Sequence, residues 1–492
     1  MKMFSLIALT LFWCAVAYPQ SMRQEAEMAH QDSTVVNIVQ SYLQAINSGD
    51  PATIQSYLSE NYDPGFFKQL PPFVHLFIHR GFYYETAGLG YKFQNITSSS
   101  NSSINALVRN RLTGAWLNLD LTIASNSPHK INRFPKFSSA SPPSGIEPAE
   151  RMSDEEIIVK LEQCMSKLME SDDFSGAVLL AKNGEPIFNK AYGLSNREDM
   201  SPNRTDTKFN IASMGKMFTG VAVAQLAEQG KLSLDDPLDK YLPADWLNPE
   251  ASRRVKINHL LTHTSGLGDY FKKLRQQPKD MVYRRLEDYR PLVVDETLKF
   301  EPGTRWSYSN TGMLLAGVVI EQVTGQSYFD YVRESIYLPA GMTNTDAYEK
   351  DGPEPNKATG YVKIFTDKGI QWMSSKGEPV KKGMPSGGSF STLEDLLKFD
   401  IALRNHKLLT PEYTEMVLSS KPELSSPFYG YGFNVGKCEA GRIVEHGGDG
   451  TGIQSSFRMY LDEGYTVAVL ANRNAPSAGI VDHVIHQLIN LR

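Results

Sequence analysis

Apolar positions divide the chain into stretches of different period. Val35, Val39, Tyr42, Leu43 and Ile46 recur at helical spacing, and Gly49 closes the run. Asp50-Pro51 then predicts a second helix, with Asp50 as cap and proline in the first turn. After Gly88 the period becomes two. In "WLNLDLTI", Leu117, Leu119, Leu121 and Ile123 alternate with Asn118, Asp120 and Thr122, which predicts a strand with one dry face. Helices followed by an antiparallel meander predict a small, curved α+β cone over residues 28–125. Residues 126–152 carry five prolines and several serines. That stretch reads as a linker or a loosely packed connector.

Beyond it, Ser153-Asp-Glu-Glu156 is a capping box ahead of an amphipathic helix. Cys164 shares that helix's apolar spacing with Ile157, Leu161 and Leu168, so it reads as a core residue. "GAVLLAKNGEPIFNKAYG" predicts a hairpin turning at Asn183-Gly184. "SSFRMYLDEGYTVAVLAN" predicts another, turning at Asp462-Glu463-Gly464, and "GIVDHVIHQLINL" a closing helix. Strands at both ends, with mostly helices and loops from about Ser213 to Leu418 between them, imply a sheet assembled from the two ends beside an inserted helical subdomain.

The sequence has 492 residues, enough for two or three domains, with 41% hydrophobic and 21% charged residues. A formal net charge of -5 gives no reason to expect nucleic acid as a partner. Lys2, an apolar run and Ala15-Val16-Ala17 describe a signal peptide over residues 1–17, so export to a secreted or periplasmic location is expected. No later stretch is long and apolar enough to span a bilayer. Cys164 and Cys438 remain after cleavage; two cysteines are no disulfide framework, and whether they pair stays open.

The chemistry starts at "NIASMGKMFTG". Ser213 lies at the start of an apolar helix ending near Gly230, where backbone N–H groups can stabilise negative charge. Lys216, one turn on, faces the same side. A lysine in a partly dry site loses its proton more easily and can then take the serine's. A second Ser-x-x-Lys, Ser127 to Lys130, lies among prolines with no helix to organise it. Tyr308-Ser309-Asn310 opens another apolar helix; a tyrosine can relay protons, and an asparagine can bridge lysine and substrate amide. His446-Gly447-Gly448 leads into the last hairpin, where glycines allow close approach and an N–H could complete an oxyanion hole.

Ser-x-x-Lys, Tyr-x-Asn and His-x-Gly in that order resemble the serine beta-lactamase and penicillin-binding superfamily, more narrowly its class C beta-lactamase-related branch. "LLTHTSGL", "FEPGTRWSYSN", "LPAGMTNT", "PSGGSFSTLEDLLKF" and "YGYGFNV" read the same way, so the resemblance covers residues 155–490. It implies an α+β fold: a beta-lactamase-like antiparallel sheet flanked by helices, in a hydrolase domain over residues 153–492. It also implies that Ser213 is acylated, Lys216 activates it and Tyr308 shuttles a proton. Asn310 would orient lysine and substrate, and the N–H groups of Ser213 and Asp449 would form the oxyanion hole. His446, Gly447, Gly448 and Asp449 would line the substrate. His446 stands where the family's Lys-Thr-Gly form has lysine. A mostly neutral imidazole favours esters or small peptides over carboxylate-bearing substrates. "YLQAINSGD" and "RLTGAWLNLDL" resemble the SnoaL-like, nuclear-transport-factor-like fold.

The expected protein is therefore an exported serine hydrolase working through an acyl-enzyme on small esters, amides or peptides, cell-wall fragments included, without metal or cofactor. Beta-lactamase, D-Ala-D-Ala carboxypeptidase and a non-catalytic penicillin-recognising binder stay open beside it. His75/His79 and His259/His263 are each four apart but lack a zinc-protease glutamate, and "PSGGS" lacks a phosphate loop's lysine. Neither Gly-x-Ser-x-Gly nor zinc-ligand spacing occurs.

Overall fold

The computed structural model describes residues 33–126, 128–143, 145, 151–278, 280–366, 369–474 and 477–490. Residues 1–17, expected to be a signal peptide, and Ser127 lie outside the described residues. Helices α1 (Ser33–Ser48), α2 (Pro51–Asn61) and α3 (Pro72–Tyr84) precede four strands. These are β1 (Tyr91–Ser99), β2 (Ser103–Asn110), β3 (Trp116–Thr122) and β4 (Lys136–Ser139), antiparallel in sequential order. Asp50 caps α2 as its spacing predicts, its side chain accepting from the Thr53 N–H. Val39, Tyr42, Leu43 and Ile46 of α1 pack against Leu119 and Leu121 of β3.

Strand β4 corrects the reading of residues 126–152 as a linker. Lys136–Ser139 pairs with Leu117–Asp120, and Phe137 stacks on Tyr91 at 4.5 Å between ring centroids. Pro135 and Pro142 bracket this strand rather than interrupt it, so composition hid a short extended run.

The larger unit opens with α4 (Asp154–Glu170), whose Ser153 capping box forms in full. Strands β5 (Gly176–Lys182) and β6 (Glu185–Tyr192) follow, then α5 (Gly215–Glu228), which is buried on nearly every side, and α6 (Asn310–Thr324). The chain closes with β7 (Asn434–Cys438), β8 (Gly441–Gly450), β9 (Ile453–Tyr460), β10 (Tyr465–Ala471) and α7 (Ser477–Asn490). One six-stranded antiparallel sheet runs β7-β8-β9-β10-β5-β6. The two chain ends therefore do build one sheet, joined where Val178 of β5 faces Val469 of β10. Both faces are covered. Val178 and Leu180 point into the cluster with α4 and α7, while Ala177 and Leu179 point into the cluster with α5 and α6. Between β6 and β7 the chain is mostly helical, as expected. It also holds a hairpin, Tyr361–Thr366 with Gly369–Ser374, that periodicity did not place.

Tyr84, Ala87 and Leu112 of the small unit share one apolar cluster with α4 and α7. Arg80 pairs with Asp173 at 2.7 Å across the same junction. The two units thus share a core rather than hang on a tether. Cys164 is fully buried, its thiol pushed up to about 12 by burial, and both Cys164 and Cys438 are free. No helix among the described residues is long and apolar enough to cross a membrane.

Candidate active site

Ser213 sits in a short 3₁₀ turn, Ala212–Met214, that feeds directly into α5. Ala212, just before it, holds φ +45°, in the left-handed region that non-glycine residues avoid. Two close backbone approaches hold this bend. A Cβ on Gly387 would lie 2.2 Å from the Ala212 carbonyl oxygen, and one on Gly448 of β8 would lie 2.3 Å from that of Ile211. Glycine is required at both positions. Ser455 of β9 adds a hydrogen bond to the Ile211 carbonyl at 2.9 Å.

Lys216, in the first turn of α5, is completely buried. Its Nζ donates to Ser213 Oγ at 3.1 Å and to the Ser386 carbonyl, and lies 4.8 Å from the Tyr308 ring centroid. Burial brings its pKa down to about 7, opposed by the Asp269 carboxylate. Near neutral pH a large share of Lys216 is therefore unprotonated. Burial lifts the Tyr308 phenol to about 12, against a hydrogen bond with Ser213. Three groups expected from the sequence thus converge: Ser213, Lys216 and Tyr308.

Asn310 begins α6, which Ser309 caps by accepting from the Gly312 N–H at 2.9 Å. Its Nδ2 donates to Asp269 Oδ2 at 3.1 Å, while its buried Oδ1 has no partner among the described residues. His446 lies on β8 and is 4% exposed. Its Nδ1 lies 2.6 Å from the Gly447 carbonyl oxygen and its Nε2 3.0 Å from the Tyr429 hydroxyl. A carbonyl only accepts, so Nδ1 carries the hydrogen and Nε2 accepts from Tyr429. Burial first, then the Lys216 charge, holds the imidazole to about 3, so it is neutral. This refines the sequence reading: the ring lacks charge, as expected, but it has no free hydrogen for a substrate either. Gly447 and Asp449 are exposed farther along β8, and Gly448 is the buried contact with Ile211.

Several residues of the site escaped the sequence reading. His263, buried with φ +59°, lies 4.3 Å from the Tyr308 ring and 4.7 Å from Tyr429 between centroids. Tyr429, Asp269 and Ser386 are the others. The signals were adjacent: Asp269 follows "LLTHTSGL" by one residue, and Tyr429 opens "YGYGFNV". His75, His79 and His259 are buried, with hydrogen bonds to protein groups. Among the described residues no cluster of three or more His, Cys, Asp or Glu side chains forms that could hold a metal.

The chain belongs to the beta-lactamase family, a fold family of serine hydrolases, whose model matches residues 161–489. It resembles the penicillin binding protein from Bacillus halodurans in structure, with a TM-score of 0.58 and 33% identity over 66% of this chain and 98% of that one. The D-stereospecific amidohydrolase from Streptomyces sp. gives a TM-score of 0.54 and 26% identity over 65% and 94%. The putative penicillin-binding protein PbpX of Bacillus subtilis (strain 168) is 29% identical over 344 residues, 69% of this chain and 82% of its own length.

Proposed function

We propose that the protein is an exported serine hydrolase of the class C beta-lactamase-related branch, acting by acyl transfer on small esters, amides or short peptides. The observation that carries this reading is the completely buried Lys216, its Nζ 3.1 Å from Ser213 Oγ. Neutral Lys216 takes the Ser213 proton as Oγ bonds the substrate carbonyl carbon and the C=O pair moves onto oxygen. The N–H groups of Ser213 and Asp449 hold that oxyanion. As the intermediate collapses, the leaving alkoxide or amine takes a proton by way of Tyr308, and water then repeats the sequence on the Ser213 ester. Residues 28–125 are read as a SnoaL-like unit, to which β4 adds its edge strand, and residues 1–17 as a cleaved leader.

A second reading, D-Ala-D-Ala carboxypeptidase or beta-lactamase, is favoured by the names of the penicillin-binding relatives. It requires a cation for the substrate carboxylate, and neutral His446 supplies none. A third, a binder without turnover, predicts no activated serine. Labelling with a fluorophosphonate, followed by mass spectrometry, tests the proposal: the adduct belongs on the peptide containing Ser213, and an adduct elsewhere or none overturns it. A panel of p-nitrophenyl esters, D-amino-acid amides and nitrocefin then ranks the substrate classes.

A further inference from the structure

The loop after "LLTHTSGL" is tied to the start of α6 at two points. Ser309 Oγ donates to the Gly268 carbonyl at 2.6 Å, and Asn310 Nδ2 donates to Asp269 Oδ2 at 3.1 Å. The other Asp269 oxygen accepts from the Phe271 N–H at 3.0 Å, which fixes the carboxylate in its own turn. A carboxylate only accepts, so it holds the Asn310 amide with its NH₂ inward to Asp269. The amide oxygen is left buried and, among the described residues, without a partner. That oxygen can only accept a hydrogen bond, and the Lys216 ammonium formed during acylation or a substrate amide N–H is such a donor.

We infer that Asp269 is a positioning residue of this site: it fixes the orientation of Asn310 and supplies the negative charge that balances Lys216. The inference rests on the hydrolase reading above. Lys216 is faced by Ser213 from its own segment, by Tyr308 ahead of α6, by His263 and by His446 of β8. Burial keeps both imidazoles neutral, so they add no charge near neutral pH. The carboxylate whose field reaches the lysine belongs to Asp269, and it works against the burial that lowers the lysine's proton affinity. Removing that charge therefore makes Lys216 easier to deprotonate.

The test is the rate of fluorophosphonate labelling of the full chain from pH 5 to pH 9, in wild type, Asp269→Asn and Asp269→Glu. In wild type the rate should rise through a limb near pH 7. In Asp269→Asn the limb should move down by about half to one pH unit. Its plateau should fall about tenfold, because Asn310 is no longer held one way round. Asp269→Glu should return the limb towards the wild-type position. A variant that only disturbed the turn would lower the plateau and leave the limb in place; that outcome overturns the inference while sparing the hydrolase reading. No labelling of wild type would overturn both.

Discussion

His79 and His446 are chemically alike and sit in different units. Each is a buried imidazole bonded to a tyrosine hydroxyl, and each is held to about 3, chiefly by burial. Around His79 the polar groups answer one another: Tyr42 lies 3.1 Å from Nδ1 and Tyr62 3.0 Å from Nε2, among Phe82 and Phe134. The hydrogen bonds of that ring go to these two tyrosines. Around His446 the contacts continue through Tyr429, His263 and Tyr308 to Lys216 and Ser213. A strongly shifted, buried titratable group is therefore no mark of catalysis by itself. A base beside a partly accessible hydroxyl is the stronger mark.

Five experiments test that contrast. Ser213→Ala should abolish acylation, a loss of about a thousandfold or more, while Ser127→Ala should change nothing, as read by probe labelling. Lys216→Met should cost about as much activity. It should also stabilise the fold by about 1–2 kcal/mol at pH 7. The sign follows from the lysine's position near 7 in the fold against 10.5 when exposed. Between those values unfolding takes up a proton, so wild-type stability is lost as pH falls from about 10.5 towards 7, and a methionine avoids that loss. Thermal melts across that range would show the gap narrowing as pH rises; a variant less stable than wild type throughout would refute it.

His79→Phe strands two tyrosine hydroxyls and should cost about 2–4 kcal/mol in stability by denaturant titration. Its kcat/KM on a p-nitrophenyl ester should stay within about twofold, since nothing in that triad reaches Ser213. In wild type both imidazoles are neutral in the fold, so their share of stability is present above about 6.5 and is lost as pH falls towards 3. His446→Lys should act on specificity instead. A permanent charge there should raise the ratio of nitrocefin to ester turnover by about tenfold. Wild type that turns over nitrocefin better than the ester, at both pH 6 and pH 8, would mean that other residues read the carboxylate.

Removing the small unit should likewise change activity little. A chain starting near Glu150 should keep most of its ester hydrolysis, because Ser213, Lys216, Tyr308, Asn310 and His446 all lie beyond that point. Its melting temperature should drop by several degrees, since Tyr84, Ala87 and Leu112 leave the cluster they share with α4 and α7. A folded but inactive product would make the small unit part of the site.

Local features were the most legible in the sequence. The Ser153 capping box, the hairpins at Asn183-Gly184 and Asp462–Gly464, and the helical stripe holding Cys164 each depend on neighbours a few residues away. Ser213 and Lys216 were legible for the same reason. Asp269 was not, because its role exists only once the loop closes on Asn310, 41 residues later. Nor was β4, whose few residues gain their strand character from Leu117–Asp120 across the sheet. The shared core at Tyr84 and Leu112 is likewise a tertiary fact that no local period announces.

The glycines beneath Ser213 also determine where heritable variation can retune this site. Gly215 and Gly387 face each other so closely that a Cβ on Gly215 would lie 2.9 Å from the Gly387 Cα, and Gly448 is shut against Ile211. A library randomised at these floor positions would return mostly misfolded chains. The rim is freer: Trp306 is 43% exposed two residues before Tyr308, and Phe428 is 75% exposed beside Tyr429. Selection for a new substrate, natural or in the laboratory, should therefore enrich changes at Trp306 and Phe428 and leave the glycines untouched.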